Sequence, residues 1–241
     1  MLSKDSSDLI FIKWLLFFSI LLIIMYLLIY YGYVSELISS DISNISIIIL
    51  FIFIFFSIKI GFILYKVKDS FYNLIILSTS NKDNDVKNII KQMDKSNNYY
   101  DVCTLNQLTN FYTNDIKDKK DINEAFEYKF TKDVELGWFI VDLLIKLGLI
   151  GTVIGFIIML SSIALIEDFD LSLMQSLLKN MSSGMMVALY TTLTGLLSSI
   201  VLSFQNKYLE NIIYDMISVV TTIVEIKNPL ILKILNEKKK V

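Results

Sequence analysis

The side chains that could do chemistry in the apolar parts of this chain are a few threonine hydroxyls set among glycines. Residues 147–156 read LGLIGTVIGF, in which Thr152 is the only polar side chain and Gly148, Gly151 and Gly155 interrupt the apolar run. In water, glycine costs a helix about 1 kcal/mol relative to alanine. In lipid, small residues let two helix backbones approach closely, so these glycines indicate helix packing.

A second stretch, SSGMMVALYTTLTGLLSS, carries small residues along one face of a helix. These are Gly184, Ala188, Thr191, Gly195 and Ser198, and Thr192 lies beside that face. A threonine hydroxyl can bond the carbonyl four residues before it, so one threonine needs no functional explanation. Two polar stripes that could face each other suggest a wet or ion-accessible path. Helix packing alone is the competing interpretation.

The composition excludes most catalytic chemistry. The chain has no histidine, and all 22 of its basic residues are lysines. Histidine-based triads, histidine metal sites and bidentate arginine–phosphate contacts are therefore ruled out. Cys103 is the only cysteine, so no intrachain disulfide can form and the thiol has no histidine base. We expect no enzymatic activity, no metal site, no cofactor and, with a net charge of −2, no nucleic-acid partner.

Four long apolar runs predict an all-α membrane protein with four transmembrane helices. The 241 residues are 54% hydrophobic, and the excess over an ordinary soluble domain is concentrated in runs that can cross a bilayer. The predicted spans are residues 9–31, 46–65, 138–166 and 184–205. They divide the chain into a transmembrane hairpin (1–65), a cytoplasmic helical loop (66–137), a core of two spans (138–205) and a cytoplasmic C-terminal helix with a lysine-rich tail (206–241).

The lysines predict the orientation of these spans. Residues 66–137 hold eleven lysines, whereas residues 32–45 hold none. Because positive charge accumulates on the cytoplasmic side, we expect both termini and the large loop to be cytoplasmic. The third and fourth helices are expected to extend into the cytoplasm, the fourth as far as Pro229, which stops a helix.

Apolar residues at helical spacing continue outside the predicted spans. In the loop they predict short helices joined by polar turns rather than a separate domain with a large core; the residues are Phe71, Leu74, Ile75, Val86, Ile89 and Ile90. After the fourth span a longer stripe follows, formed by Leu209, Ile212, Ile213, Met216, Ile217, Val220, Ile223 and Val224. An apolar stripe outside the membrane needs a partner helix, which either the loop or another subunit would supply.

The acidic residue nearest to the clean part of a span is Asp142. Lys146 lies one helical turn further on, so we interpret the two as an ion pair near the interface. The alternative is that they mark the cytoplasmic entrance of an ion path. Because a bare charge in lipid is costly, this chain lacks an obvious ion carrier, and a second chain could supply one.

The two glycine-rich stretches together resemble the MotA/TolQ/ExbB family of ion-channel subunits. GLIGTVIGF, residues 148–156, is similar to the family signature G-L-x-G-T-V-x-G-[IF]. SGMMVALYTTLTGLL is similar to the second signature, P-G-I-x-x-A-L-x-x-T-x-x-G-L. The resemblance covers residues 138–215. Ser183 stands where a proline often precedes the glycine, and Val187 stands where the TolQ and ExbB branch carries a glutamate.

The resemblance implies a function in the bacterial inner membrane. Such subunits form a homopentamer around two copies of a single-span partner like ExbD, TolR or MotB, whose aspartate carries a proton or sodium ion. The residues that match the family's ion-path threonines are Thr152 and Thr192, and we add their neighbour Thr191. Ion flow drives rotation that does work elsewhere. The four-span layout is similar to MotA while the motifs are closer to TolQ and ExbB, so the subfamily stays open.

Three other classes of protein compete with this interpretation. A structural or scaffolding membrane protein would use the small residues only for packing and would carry no ion flux. A secondary transporter is disfavoured because four spans are few and none is broken in mid-membrane by proline or charge. An enzyme is disfavoured because no nucleophile, base and oxyanion donor can be assembled from these residues.

Overall fold

The computed structural model of the protein describes residues 4–80, 83–113, 119–163 and 171–226. Within these ranges every regular element is an α-helix. The helices are α1 (Lys4–Tyr30), α2 (Tyr33–Ser40), α3 (Ile45–Thr79), α4 (Asp83–Lys95), α5 (Tyr99–Thr113), α6 (Lys119–Ile163) and α7 (Leu171–Ile226). The predicted all-α class is therefore confirmed.

Four of the described helices are long and apolar enough to cross a membrane. The segments are Asp8–Tyr30 in α1, Ile45–Thr79 in α3, Asn123–Ser161 in α6 and Leu177–Val224 in α7. Their number agrees with the four apolar runs of the sequence. Two predictions fall outside the described residues, namely the end of the third span at 164–166 and the tail at 227–241 with Pro229.

The helices α6 and α7 are much longer than a bilayer requires. They contain 45 and 56 residues, which at 1.5 Å per residue is about 68 Å and about 84 Å. The hydrocarbon layer is about 30 Å thick. Both helices therefore continue past the apolar runs, while the cytoplasmic location of these continuations stays a prediction.

The chain divides into two compact units. The span unit comprises Leu16–Lys59 and Leu136–Asn206. The loop unit comprises the described parts of Met1–Leu15, Ile60–Glu135 and Lys207–Val241.

The loop unit has a well-developed apolar core. The stripe predicted after the fourth span is buried over its whole length, from Leu209 to Val224. The predicted stripe of α4 is buried as well, through Val86, Ile89 and Ile90. This burial occurs within one chain. The α7 stripe is therefore covered by the rest of the loop unit, and no other subunit is needed to cover it.

The structure differs from the sequence prediction at the start of the loop. The segment that carries Phe71, Leu74 and Ile75 is not a separate short helix but the end of α3, which runs on from the second span to Thr79. Residues 65–79 contain no proline or glycine to interrupt the helix. The core is consequently larger than the loop's own stripes predict, because α3 and α7 both contribute to it.

Aromatic and polar contacts complete the loop unit. The rings of Phe126 and Phe130 have centroids 4.5 Å apart, and Tyr100 meets Phe130 edge-on at 5.4 Å. Burial, together with the nearby charge of Asp133, raises the pKa of Tyr100 well above its ordinary value. The tyrosine hydroxyl therefore stays neutral and can donate a hydrogen bond at any physiological pH.

Sequence reasoning missed the short helix α2 between the first two spans. Gly32 precedes it with φ 81°, a left-handed conformation that glycine adopts without strain. After α2, the Asp41 carboxylate accepts hydrogen bonds from the backbone N–H of Ser43 at 3.0 Å and of Ser46 at 2.8 Å. Asp41 thus caps the start of α3.

Candidate functional site

The candidate functional site is the seam where α6 and α7 pack against each other inside the span unit. Gly148 of α6 lies opposite Gly195 of α7. A methyl group added to Gly148 would lie 3.4 Å from the Cα of Gly195. One added to Gly195 would lie 2.8 Å from the carbonyl oxygen of Leu144. Backbones this close leave no room for larger side chains.

A second close approach lies further along the same seam. A methyl group on Gly155 would lie 2.6 Å from the carbonyl oxygen of Gly184 and 2.7 Å from the backbone nitrogen of Ala188. One on Gly184 would lie 2.7 Å from the carbonyl oxygen of Gly155. The two small-residue faces found in the sequence therefore pack against each other within one chain, in antiparallel register.

Thr191 lies at the centre of this seam. Its side chain is fully buried and occupies the space that a methyl group on Gly151 would need. The hydroxyl donates to the carbonyl oxygen of Val187 at 2.9 Å and lies 3.1 Å from that of Ala188. Thr191 is thus a packing residue in the described contacts, and its assignment to an ion path stays a prediction.

Thr152 and Thr192 are less enclosed than Thr191, since both are half-buried. The Thr152 hydroxyl donates to the carbonyl oxygen of Leu149 at 2.6 Å. The Thr192 hydroxyl donates to that of Ala188 at 3.0 Å and lies 3.4 Å from that of Gly148 on α6. With their protons held by carbonyls, both oxygens keep lone pairs that can accept from a donor or contact a cation.

Asp142 and Lys146 form the i,i+4 ion pair that their spacing predicts. Both side chains are more than half exposed, at 57% and 62%. An exposed pair of this kind contributes little to stability. The alternative assignment of these residues to the entrance of an ion path stays a prediction.

Sequence reasoning missed a third close approach between α6 and α7. Asn206 is completely buried, and its side-chain amide occupies the place where a methyl group on Gly137 would lie. The signal was present in the spacing, because Gly137 precedes Gly151 by two heptads. It was hidden because position 144, midway between them, is a leucine.

A second missed feature connects α7 to α3. The Ser57 hydroxyl donates to the Oε1 atom of Gln205 at 2.8 Å, and both side chains are buried. Neither residue belongs to a motif, so no local pattern in the sequence indicates that they meet.

The seam offers hydroxyl, amide and carbonyl groups but no charge. Residues 147–163 and 184–204 contain no Asp, Glu, Lys or Arg. Among the described residues, no group of three His, Cys, Asp or Glu side chains could hold a metal ion. The chemistry available here is therefore the solvation of a donor or cation that another group brings.

Four apolar helices, two of which meet through small residues, define a polytopic α-helical membrane protein. A comparison with protein families is more specific, because residues 106–221 match the model of the MotA/TolQ/ExbB proton channel family. This segment contains α6 and most of α7, and it is a domain of that family. The family consists of channel and energy-transducing membrane subunits rather than enzymes.

The match extends further in both directions than the resemblance found in the sequence, which covers residues 138–215. It includes the part of α6 that lies in the loop unit. A comparison with curated proteins found no match, and a comparison with solved structures found none either.

Proposed function

We propose that this protein is the pore-forming, stator-type subunit of an ion-driven energy-transducing complex in a bacterial inner membrane. The ion is a proton or sodium ion. The observation that carries the proposal is the seam of the family domain, where the hydroxyl oxygens of Thr152 and Thr192 lie along the tightly packed, uncharged stretches 147–163 and 184–204. Hydroxyl and carbonyl oxygens in such a place stabilise a donor or a cation without holding it permanently.

The same seam favours a second chain as the carrier of the ion. A charge is expensive in lipid, so an ion needs an ionisable group beside its path. The carboxylate nearest in sequence to the uncharged part of α6, Asp142, is exposed and pairs with Lys146. We therefore propose a single-span partner like ExbD, TolR or MotB, with an acidic residue in its span, surrounded by five copies of this chain.

The experiment that tests this function replaces the two path hydroxyls. In the double variant Thr152→Val and Thr192→Val, ion flux through the complex should be abolished while assembly survives. Valine keeps the shape of threonine but removes the oxygen, so a passing ion would lose a polar contact in a region where an unsolvated charge is costly. Flux is measured with a pH- or sodium-sensitive dye in proteoliposomes that contain the chain and its partner.

Thr194→Val provides the matched control on the same helix. Thr194 is buried and its hydroxyl donates to the carbonyl oxygen of Tyr190 at 2.7 Å. This variant should keep normal flux. Normal flux in the double variant would contradict the proposed role of Thr152 and Thr192.

The alternative is a scaffolding membrane protein that carries no ion flux. The complete burial of Thr191 against Gly151 favours it, because that contact is explained by packing alone. A scaffold would show no flux with any partner, even when the native chain assembles fully.

A further inference from the structure

Gln205 is a buried amide at the edge of the uncharged part of α7. It follows the uncharged run that ends at Phe204 and precedes Lys207 by two residues. Its side chain is only 2% exposed. The position is therefore enclosed by protein, yet it lies near the end of the apolar run, where water is available to enter.

One end of this amide has a partner and the other has none among the described residues. The Ser57 hydroxyl donates to Oε1 at 2.8 Å, a hydrogen bond that does not involve the Nε2 group. No described residue accepts a hydrogen bond from Nε2. If the amide were rotated so that Oε1 and Nε2 changed places, Nε2 would meet Ser57 and Oε1 would lack a donor instead.

A buried amide with an unmet donor is costly, more so beside lipid than beside water. A leucine or methionine at position 205 would avoid the cost of the unmet donor. We therefore expect the glutamine amide to have a partner, namely a molecule that accepts a hydrogen bond from Nε2. Because Gln205 and Ser57 are both closed off, this molecule must be small. A water molecule can accept from Nε2 and can at the same time donate to the remaining lone pair of the Ser57 hydroxyl, which lies beside the amide.

We propose that the side-chain amide of Gln205 and the hydroxyl of Ser57 together bind a water molecule buried inside the span unit. The adjacent side chain of Asn206, also completely buried, makes this end of the seam more polar than the rest. The site differs from the threonines of the proposed ion path. It stands whether or not the chain conducts ions.

The chain supplies its own reference glutamines for a test. Gln107 is also buried, but its Nε2 donates to the Oδ1 atom of Asn123 at 2.7 Å, so it needs no water. Gln92 is exposed and contacts bulk solvent. The full-length protein, labelled with 15N at glutamine side chains, is placed in bilayers of deuterated lipid. Solid-state NMR then measures magnetisation transfer from water protons to each side-chain amide.

Transfer to Gln205 should be several-fold faster than transfer to Gln107 and close to that of Gln92. The signals are assigned by Gln205→Met and Gln107→Met. Transfer to Gln205 that is no faster than to Gln107 would overturn the proposal, because the amide would then be dry.

A serine variant separates bound water from general solvent access. Ser57→Ala removes one of the two water ligands, so transfer to Gln205 should fall toward the rate of Gln107. Ser70→Ala, at another buried serine of α3, should leave it unchanged. An unchanged rate in Ser57→Ala would overturn the joint site, since Ser57 would then not hold the water.

Discussion

Gly155 illustrates the role that single small residues have in this protein. In α6 it faces the backbone of α7, with the carbonyl oxygen of Gly184 only 2.6 Å from where a methyl group would lie. Its neighbours Val153 and Phe156 face outward, each 58% exposed. One turn of helix therefore combines a position that tolerates no side chain with positions that tolerate many.

Gly155→Leu should destabilise the chain strongly. The added side chain meets backbone atoms of α7, which cannot move aside singly, and overpacking of this kind costs about 1–3 kcal/mol. Thermal unfolding in mild detergent measures the effect. Val153→Leu on the exposed side of α6 is the control and should change the midpoint little. Equal midpoints for the two variants would show that the seam is not closely packed.

Asp41 gives a pH-dependent prediction at the same scale. Burial alone would raise the pKa of Asp41, but hydrogen bonds from Ser43 and Ser46 outweigh it and lower the pKa below its ordinary value of 3.8. The folded protein thus favours the charged form. This stabilisation is complete above the pKa of the unfolded chain and is lost as pH falls through the lower folded value.

The unfolding midpoint should therefore drop when the pH falls below about 4, and Asp41→Asn should make that drop smaller. At pH 7 the variant should be less stable than the native chain, because the neutral amide replaces charge-assisted hydrogen bonds. Asp215→Asn, at an exposed carboxylate, is the control. A pH profile that Asp41→Asn leaves unchanged would contradict the assignment of this cap.

The helix α1 is largely exposed, since only 6% of its apolar window is buried. Its contacts in the loop unit include those of Asp8 with Lys68 at 3.1 Å, of the Phe11 ring with Tyr65, and of the Trp14 ring with Gly61. The Tyr208 hydroxyl also donates to the carbonyl oxygen of Ile10 at 3.0 Å. The cytoplasmic end predicted for α1 is thus its anchored end.

Gly61→Leu should release this anchor, because the new side chain would occupy the place of the Trp14 ring. Cysteines at positions 11 and 65, in a Cys103→Ser background, report the contact through a short bifunctional thiol cross-linker, since the native rings have centroids 5.6 Å apart. Cross-linking yield should fall several-fold with Gly61→Leu. Phe62→Leu, at a side chain that is 65% exposed, should not lower it. Undiminished cross-linking in Gly61→Leu would show that Trp14 does not hold α1.

On the scale of the whole molecule, the span unit presents a large apolar surface. Exposed apolar side chains continue along α6 and α7 and include Leu149, Ile157, Leu189, Leu193 and Ile200. The small faces of both helices are already used within the chain. Lipid, and neighbouring copies in the proposed assembly, would therefore meet the larger side chains rather than the glycines.

The native mass of the complex tests the proposed assembly. The chain is expressed alone and together with single-span membrane proteins encoded beside it, and is measured by native mass spectrometry in mild detergent. We expect five copies alone, which gain two copies of an acid-bearing partner on coexpression. A monomer or dimer that recruits no partner would contradict the ion-motor proposal and leave the seam as helix packing.

Periodic features were predictable because each depends on residues close together in the chain. The buried stripe from Leu209 to Val224 follows from helical spacing, and the small faces of α6 and α7 follow from three- and four-residue steps. The continuation of α3 to Thr79 was missed because a change from apolar to polar composition was taken as a helix end. A helix ends where residues such as proline or glycine interrupt its backbone pattern, and residues 65–79 contain neither.

By itself, the sequence determined the four apolar helices, the family motifs and the absence of a charged group from residues 147–163 and 184–204, since composition and local period are enough for these. Only the tertiary structure decided that the two small faces meet within one chain, that Asn206 lies against Gly137, and that Ser57 meets Gln205. The last pair is 148 residues apart. Contacts at such separations depend on how whole helices are placed. A single contact of this kind produces no periodic pattern in the sequence from which it could be predicted.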